Sequence, residues 1–395
     1  MTQQLIERAA AITRDTARNA SLDDLATILE SQQDRKLDVV TAASALRAEA
    51  GNLIVQGVPP LLRDDAVVSV DGVYRPTGVG DEGIAEKLRI PVSYLRRMRE
   101  EAPPLYDANV NGWLAQDPDR RFLLRALRAD STPGAEQRIG VARALVSPSY
   151  KVIDNLDILM AALDGIKESG HNAEITRCDL TDRRMYVRVE SEQVRIAAPA
   201  LLSGYRSPFT GQTGDELPIM SAGFIITNSE TGGGAYTVCP CATIQVCTNG
   251  VTMTEDLMRT VHIGGKQDDG IVDPSAATQR AVLSVVMNKT RDAVDHFLSA
   301  DYLETKLRQI EADAGRPVTN PAQTVEDVTK QLNISKERRD TILDHFIRGG
   351  QLTAGGVMQA ITSTAQTLTN ADQAYELEAL ALPALRTAAK FAQAA

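Results

Sequence analysis

The sequence predicts an α+β protein: a mixed or antiparallel sheet domain with flanking helices, then a smaller, mostly helical C-terminal domain. Three observations carry that expectation. Short apolar runs such as Lys36-Leu-Asp-Val-Val, Asn52-Leu-Ile-Val and Ala66-Val-Val-Ser-Val are cut by Gly, Pro and Asp, as strands and turns are. From Ser275 onward apolar residues recur at helical spacing. The 395 residues, 43% hydrophobic and 24% charged, have globular composition and enough chain for a substantial core. The expected organisation is an N-terminal helical appendage over 1–33, a mixed core over 34–300 and a helical domain over 301–395.

Leu5, Ile6, Ala9, Ile12 and Ala17 follow near-helical spacing, and Ser21 caps a helix carrying Leu22, Leu25, Ile28 and Leu29. Gly83 to Glu100 reads as helix, tight turn, helix, the second starting at Val92 or Ser93. Trp113, the single tryptophan, sits beside Val110 and Leu114; anchoring a local core is the simpler reading, base stacking the sharper one. Arg138 to Leu145 reads as a strand. Asp154 or Asn155 is placed to cap the helix from Leu156 to Lys167. Arg184 to Glu190 alternates as a half-buried strand, with Met185, Val187 and Val189 opposite Arg184, Tyr186 and Arg188. Val251 to Arg259 is expected to resume helix. The pairs Gly349-Gly and Gly355-Gly are expected to separate the last helices.

The charge balance, 42 Lys+Arg against 52 Asp+Glu for a net −10, opposes indiscriminate coating of a phosphate backbone and still allows a local basic groove. No apolar run approaches the roughly 20 residues needed to cross a bilayer, and Met-Thr-Gln-Gln-Leu-Ile-Glu-Arg is no secretion segment. The expectation is a cytoplasmic protein without membrane association, its four cysteines reduced.

Candidate sites fall in three groups. The helix-turn-helix pattern puts Arg89, Arg96 and Arg97 near one helix; solvated arginines on docked helices explain them as well as phosphate contact does. Tyr150, Lys151, Arg188 and Arg195 extend that basic set, with Tyr150 or Tyr236 for base stacking. Asn228-Ser-Glu-Thr-Gly-Gly-Gly, with Asn249 downstream, concentrates polar groups at a turn. Asn228, Ser229, Glu230, Thr231 and Asn249 form the candidate polar pocket, whose glycines permit close backbone approach; a tight hairpin accounts for the same residues. The spacing matches neither a phosphate loop nor a dinucleotide fingerprint, so no cofactor is expected. Cys239, Cys241 and Cys247, with His262 beyond, lack a second close ligand pair; buried thiols are expected and no metal. No catalytic residue set can be named.

Five ordered segments together resemble the phage- and plasmid-associated domain-of-unknown-function 932 family. They are Ile84-Ala-Glu-Lys-Leu-Arg-Ile-Pro-Val-Ser-Tyr-Leu, Asn111-Gly-Trp-Leu, Arg143-Ala-Leu-Val-Ser-Pro-Ser-Tyr-Lys-Val-Ile-Asp-Asn, Gly223-Phe-Ile-Ile-Thr-Asn-Ser-Glu-Thr-Gly-Gly-Gly and Val246-Cys-Thr-Asn-Gly. The resemblance covers about residues 35–300 and implies a phage or mobile-element accessory protein; it brings no reaction and no catalytic set. The leading expectation is therefore a role in DNA metabolism with single-stranded DNA as partner. A protein-interaction or assembly role, with a phage or host protein or a second copy as partner, is the alternative. An enzyme using the Asn228–Gly232 loop is the third reading.

Overall fold

The computed structural model describes residues 11–394 except 64–65, 130–138, 151–152, 216–218, 245–248 and 261–275. It is an α+β fold with a helical C-terminal region. The chain opens with strands β1 (Ala11–Ile12) and β2 (Ala17–Ala20) and helix α1 (Leu22–Arg35). Ser21 begins α1 as expected: its hydroxyl accepts the Asp24 N–H at 3.1 Å and the Asp24 carboxylate accepts the Ser21 N–H at 3.2 Å. The helix expected across Ala17 is instead a strand, because β2 pairs with the main sheet. Leu25, Ile28 and Leu29 are core residues, so this segment is no surface appendage.

Next come β3 (Lys36–Ala42), β4 (Leu46–Glu49), β5 (Asn52–Val55), β6 (Leu61–Arg63), β7 (Ala66–Val68) and β8 (Gly72–Pro76). Helices α2 (Gly78–Leu88), α3 (Val92–Glu101) and α4 (Pro103–Gln116) precede β9 (Arg121–Leu127) and β10 (Ile139–Val146). The sheet order is β3-β9-β10-β8-β5-β4, antiparallel except for β10 beside β8. The helices α2 to α4 close a core that includes Leu53, Ile84, Leu95, Tyr106 and Phe122. The tight turn between α2 and α3 is made by Arg89 in the left-handed region (φ 57°). Trp113 is half exposed and does not anchor the core; its neighbours Val110 and Leu114 do.

The second part starts with α5 (Asn155–Ser169), β11 (Ala173–Leu180) and β12 (Met185–Ala197). It continues through α6 (Pro199–Leu202), β13 (Ile219–Asn228), β14 (Tyr236–Ile244), β15 (Asn249–Thr252) and β16 (Met258–Thr260). The helix expected over 251–259 is therefore absent: β15 and β16 both pair with β14, on either side of Pro240. A proline lacks the N–H that a continuous ladder needs, and the ladder changes partner there. Helices α7 (Ala276–Phe297), α8 (Ala300–Ala314), α9 (Pro321–Gln331), α10 (Lys336–Gly349), α11 (Ala354–Thr367), α12 (Ala371–Ala379) and α13 (Ala381–Ala394) complete the chain. Gly350 ends α10 in the left-handed region (φ 71°), whereas Gly355 and Gly356 lie inside α11. A second core joins α1, the sheet β1-β2-β11-β12-β13-β14-β15 and helices α7 to α13. Packing thus groups residues 17–29 with 158–389, and 37–145 by themselves. Among the described residues no helix is long and apolar enough to cross a membrane.

Candidate functional site: a polar hairpin locked to the facing sheet

The glycine-rich segment is the β13–β14 hairpin connection, and its side chains point inward. Asn228, Ser229, Glu230 and Thr231 are all buried. Burial demands partners, and the protein supplies them. Ser229 Oγ donates to the Arg183 carbonyl at 2.6 Å and accepts the Gly233 N–H at 2.8 Å. Thr231 Oγ1 donates to the Asp182 carbonyl at 3.2 Å. Asn228 donates from Nδ2 to Asn155 Oδ1 at 2.8 Å. Tyr150 spans the turn, donating to the Ser229 carbonyl at 3.4 Å and accepting the Gly232 N–H at 3.2 Å. Gly232 takes φ 89°, which turns the chain here without a Cβ penalty. Asn249 begins β15, opposite Ile244, and its side chain lies outside the described residues.

Glu230 reaches across to the smaller sheet. Its Oε1 accepts the Asn155 backbone N–H at 2.5 Å and its Oε2 pairs with Arg143 at 2.6 Å. The fully buried Arg125 on β9 holds Asp38 with two bonds, at 2.8 and 3.0 Å, and Asp154 at 2.8 Å. It also donates to the Glu230 carbonyl at 2.5 Å. Lys36 completes the group on Asp154. Three cations (Lys36, Arg125, Arg143) meet three carboxylates (Asp38, Asp154, Glu230) in one balanced, fully bonded cluster between the two cores.

Burial opposes ionisation of Asp154, yet Arg125 and Lys36 outweigh it and hold its pKa below the usual carboxylate range. Burial likewise disfavours the charged Arg125, and Asp38, Glu230 and Asp154 reverse that and raise its pKa. Asp154 is the residue preceding α5, but its carboxylate makes no capping bond, because the two cations claim it. A second contact between the parts runs through Glu82, which binds Arg96 at 2.9 Å and Arg183 at 2.5 Å.

The basic set is not brought together. Arg89 is exposed at the C-cap of α2. Arg96 is held by Glu82 and the Gly78 carbonyl, and Arg97 lies on the surface, paired with the exposed Glu101 at 2.8 Å. Tyr150 belongs to the hairpin, and Lys151 lies outside the described residues. Arg188 and Arg195 share β12, separated by a register shift; Arg195 is exposed, whereas Arg188 is buried against Glu378 of α12 at 2.5 Å. The strand carrying Arg188 is covered on both faces rather than half-buried: Tyr186 packs with Tyr375 of α12 while Met185, Val187 and Val189 enter the main core. Tyr236 is buried as well, its hydroxyl bonded to Thr290 at 2.5 Å, so it offers no stacking face.

Cys239 and Cys241 share the buried face toward α12, and burial pushes each thiol up to about 12. Cys247 and His262 lie outside the described residues, among which no group of three metal-ligating side chains occurs. Arg125 and Arg143 are the important residues that motif reasoning passed over. Arg125 had a signal, a lone cation inside the apolar run Phe122 to Leu127, since such a residue must find a buried partner.

Neither a protein-family model, nor a curated protein, nor a solved structure matches the chain.

Proposed function

We propose that this protein is a phage-type accessory protein that acts by assembly, with a second copy of itself as its first partner. The observation that carries the reading is the β6–β7 ribbon. Among the described residues these strands pair only with each other, so their outer edges have no strand partner. Leu62 and Val67 are direct cross-strand neighbours on this ribbon, 82% and 67% exposed. An apolar pair on an unpaired two-stranded ribbon is a template for strand addition by another chain. By contrast, the polar hairpin, Arg96 and Arg188 are engaged by partners within the molecule, and Arg97 stands apart from them in an exposed pair with Glu101, which lowers the support for a phosphate groove built from the whole set. Single-stranded DNA binding remains the second reading, resting on the exposed Arg89 and Arg195.

Sedimentation velocity over a concentration series tests this. The wild type is expected to show a sedimentation coefficient that rises with concentration. The double substitution Leu62→Lys, Val67→Lys should leave a monomer with an unchanged circular dichroism spectrum. A wild type that stays monomeric throughout, and binds labelled single strands with a negative salt slope lost in Arg89→Ala and Arg195→Ala, would reject assembly in favour of DNA binding.

A further inference from the structure

Where α12 lies over β11 and β12, a narrow cleft is lined by Arg18, Arg177, Arg188, Asp179, Tyr186 and Glu378, among others. Arg18 binds Asp179 at 2.7 Å and Arg188 binds Glu378 at 2.5 Å. Arg177 is left between them, 3.7 Å from each carboxylate, too far for a hydrogen bond to either. Three guanidinium groups thus face two carboxylates, in contrast to the balanced cluster at the hairpin. All three arginine side chains are nearly enclosed, at 11%, 14% and 8% exposure for Arg18, Arg177 and Arg188. The Nε–H of each is buried and finds no acceptor among the described protein atoms.

Two further carboxylates lie nearby and neither accepts a hydrogen bond from the three arginines. Asp372 accepts from Tyr186 at 2.7 Å and Thr181 at 3.1 Å, and Glu190 accepts from Thr243 at 2.9 Å and Thr176 at 3.2 Å. An enclosed guanidinium does not lose its proton in a protein, so three buried Nε–H groups without acceptors call for a further acceptor among them, which an anion supplies. Burial and the neighbouring Arg188 push the Arg177 pKa down, whereas burial of Arg188 is outweighed by Glu378, which pulls its pKa up. Arg177 is thus the one of the three with no carboxylate within hydrogen-bond distance.

We propose that this cleft is a binding site for one small inorganic anion of chloride size, held by Arg177 with Arg18 and Arg188. The space sets the upper limit on size: the cleft admits about one water-sized particle, so a monatomic ion is favoured over a polyatomic one. The consequence is structural coupling: because Glu378 and Tyr375 belong to α12, anion occupancy strengthens the seating of that helix on the sheet.

The test is thermal unfolding of the full chain at constant ionic strength, with bulky gluconate replaced stepwise by chloride, bromide or phosphate. For the wild type, each tenfold rise in halide above its dissociation constant should raise the folded-to-unfolded ratio about tenfold. Arg177→Met should lose that response and, in gluconate, match or exceed the wild type, because the uncompensated charge is gone. Arg177→Lys should keep a weaker response. Crystals soaked in bromide should show an anomalous peak among the three arginines, a measurement that requires no variant. Equal halide responses in the wild type and Arg177→Met, or ordered water without bromide between the guanidinium groups, would overturn the proposal; a response to phosphate but not halide would overturn the size assignment.

Discussion

Replacing Arg125 by methionine removes the centre of the cluster that joins the hairpin to the smaller sheet. Three carboxylates then remain where one guanidinium had bonded two of them and the Glu230 carbonyl. Counted separately at about 1.5–3 kcal/mol for each charged hydrogen bond, the four bonds would exceed what one substitution costs. They share one side chain, and several losses are recoverable. Asp38 keeps access to water, its side chain being 21% exposed, while Lys36 still holds Asp154 and Arg143 still holds Glu230. Deleting one partner of a buried ion pair costs about 3–5 kcal/mol, and that is the expected loss.

Urea unfolding read by circular dichroism measures it. The fluorescence of Trp113 on α4 reports the smaller core separately, so a chain whose two cores part company will show two transitions. Adding Glu230→Gln to Arg125→Met should recover part of the loss, since two cations would then face two carboxylates, with a coupling of about 1–3 kcal/mol. A loss below about 1 kcal/mol for Arg125→Met, or strict additivity in the pair, would refute the account of this cluster as a bonded, charge-matched joint.

Two further outcomes follow from buried titratable groups. Burial raises the Asp81 pKa to about 6 against the pull of Arg99 and Arg96, and neither carboxylate oxygen accepts an aligned hydrogen bond. A raised folded-state value favours the protonated form, so its stabilising contribution is present below pH ~3.9 and is lost as pH rises through about 6. Asp81→Asn should therefore gain on the wild type between pH 4 and 7, by up to about 3 kcal/mol, in denaturant melts across that range; a pH-independent difference would contradict this. Cys178, Cys239 and Cys241, each pushed up to about 12 mainly by burial, should resist iodoacetamide at pH 8 in the native protein and react in urea. Peptide mass spectrometry reads both states; rapid native labelling of Cys239 or Cys241 would show that the face beneath α12 opens, and of Cys178 that the opposite face of the sheet does.

The sequence by itself determined the α+β class, most local elements, the Ser21 cap, the turn at Arg89 and the glycine-rich hairpin, because each is set by neighbours a few residues apart. It could not tell whether a polar side chain faces a ligand or another part of the chain. Asn228 to Thr231 read as a pocket because they cluster in sequence, yet their partners are Arg125, Arg143, Tyr150, Asn155, Asp182 and Arg183. Local signals also misled at Ala17 and at 251–259, where strand pairing with a distant segment overrode helical spacing. Only the tertiary structure decided which charges are buried together, hydrogen-bonded at Arg125 and held 3.7 Å from the nearest carboxylates at Arg177, since the free energy of a charge depends on what surrounds it in space and not on what precedes it in the chain.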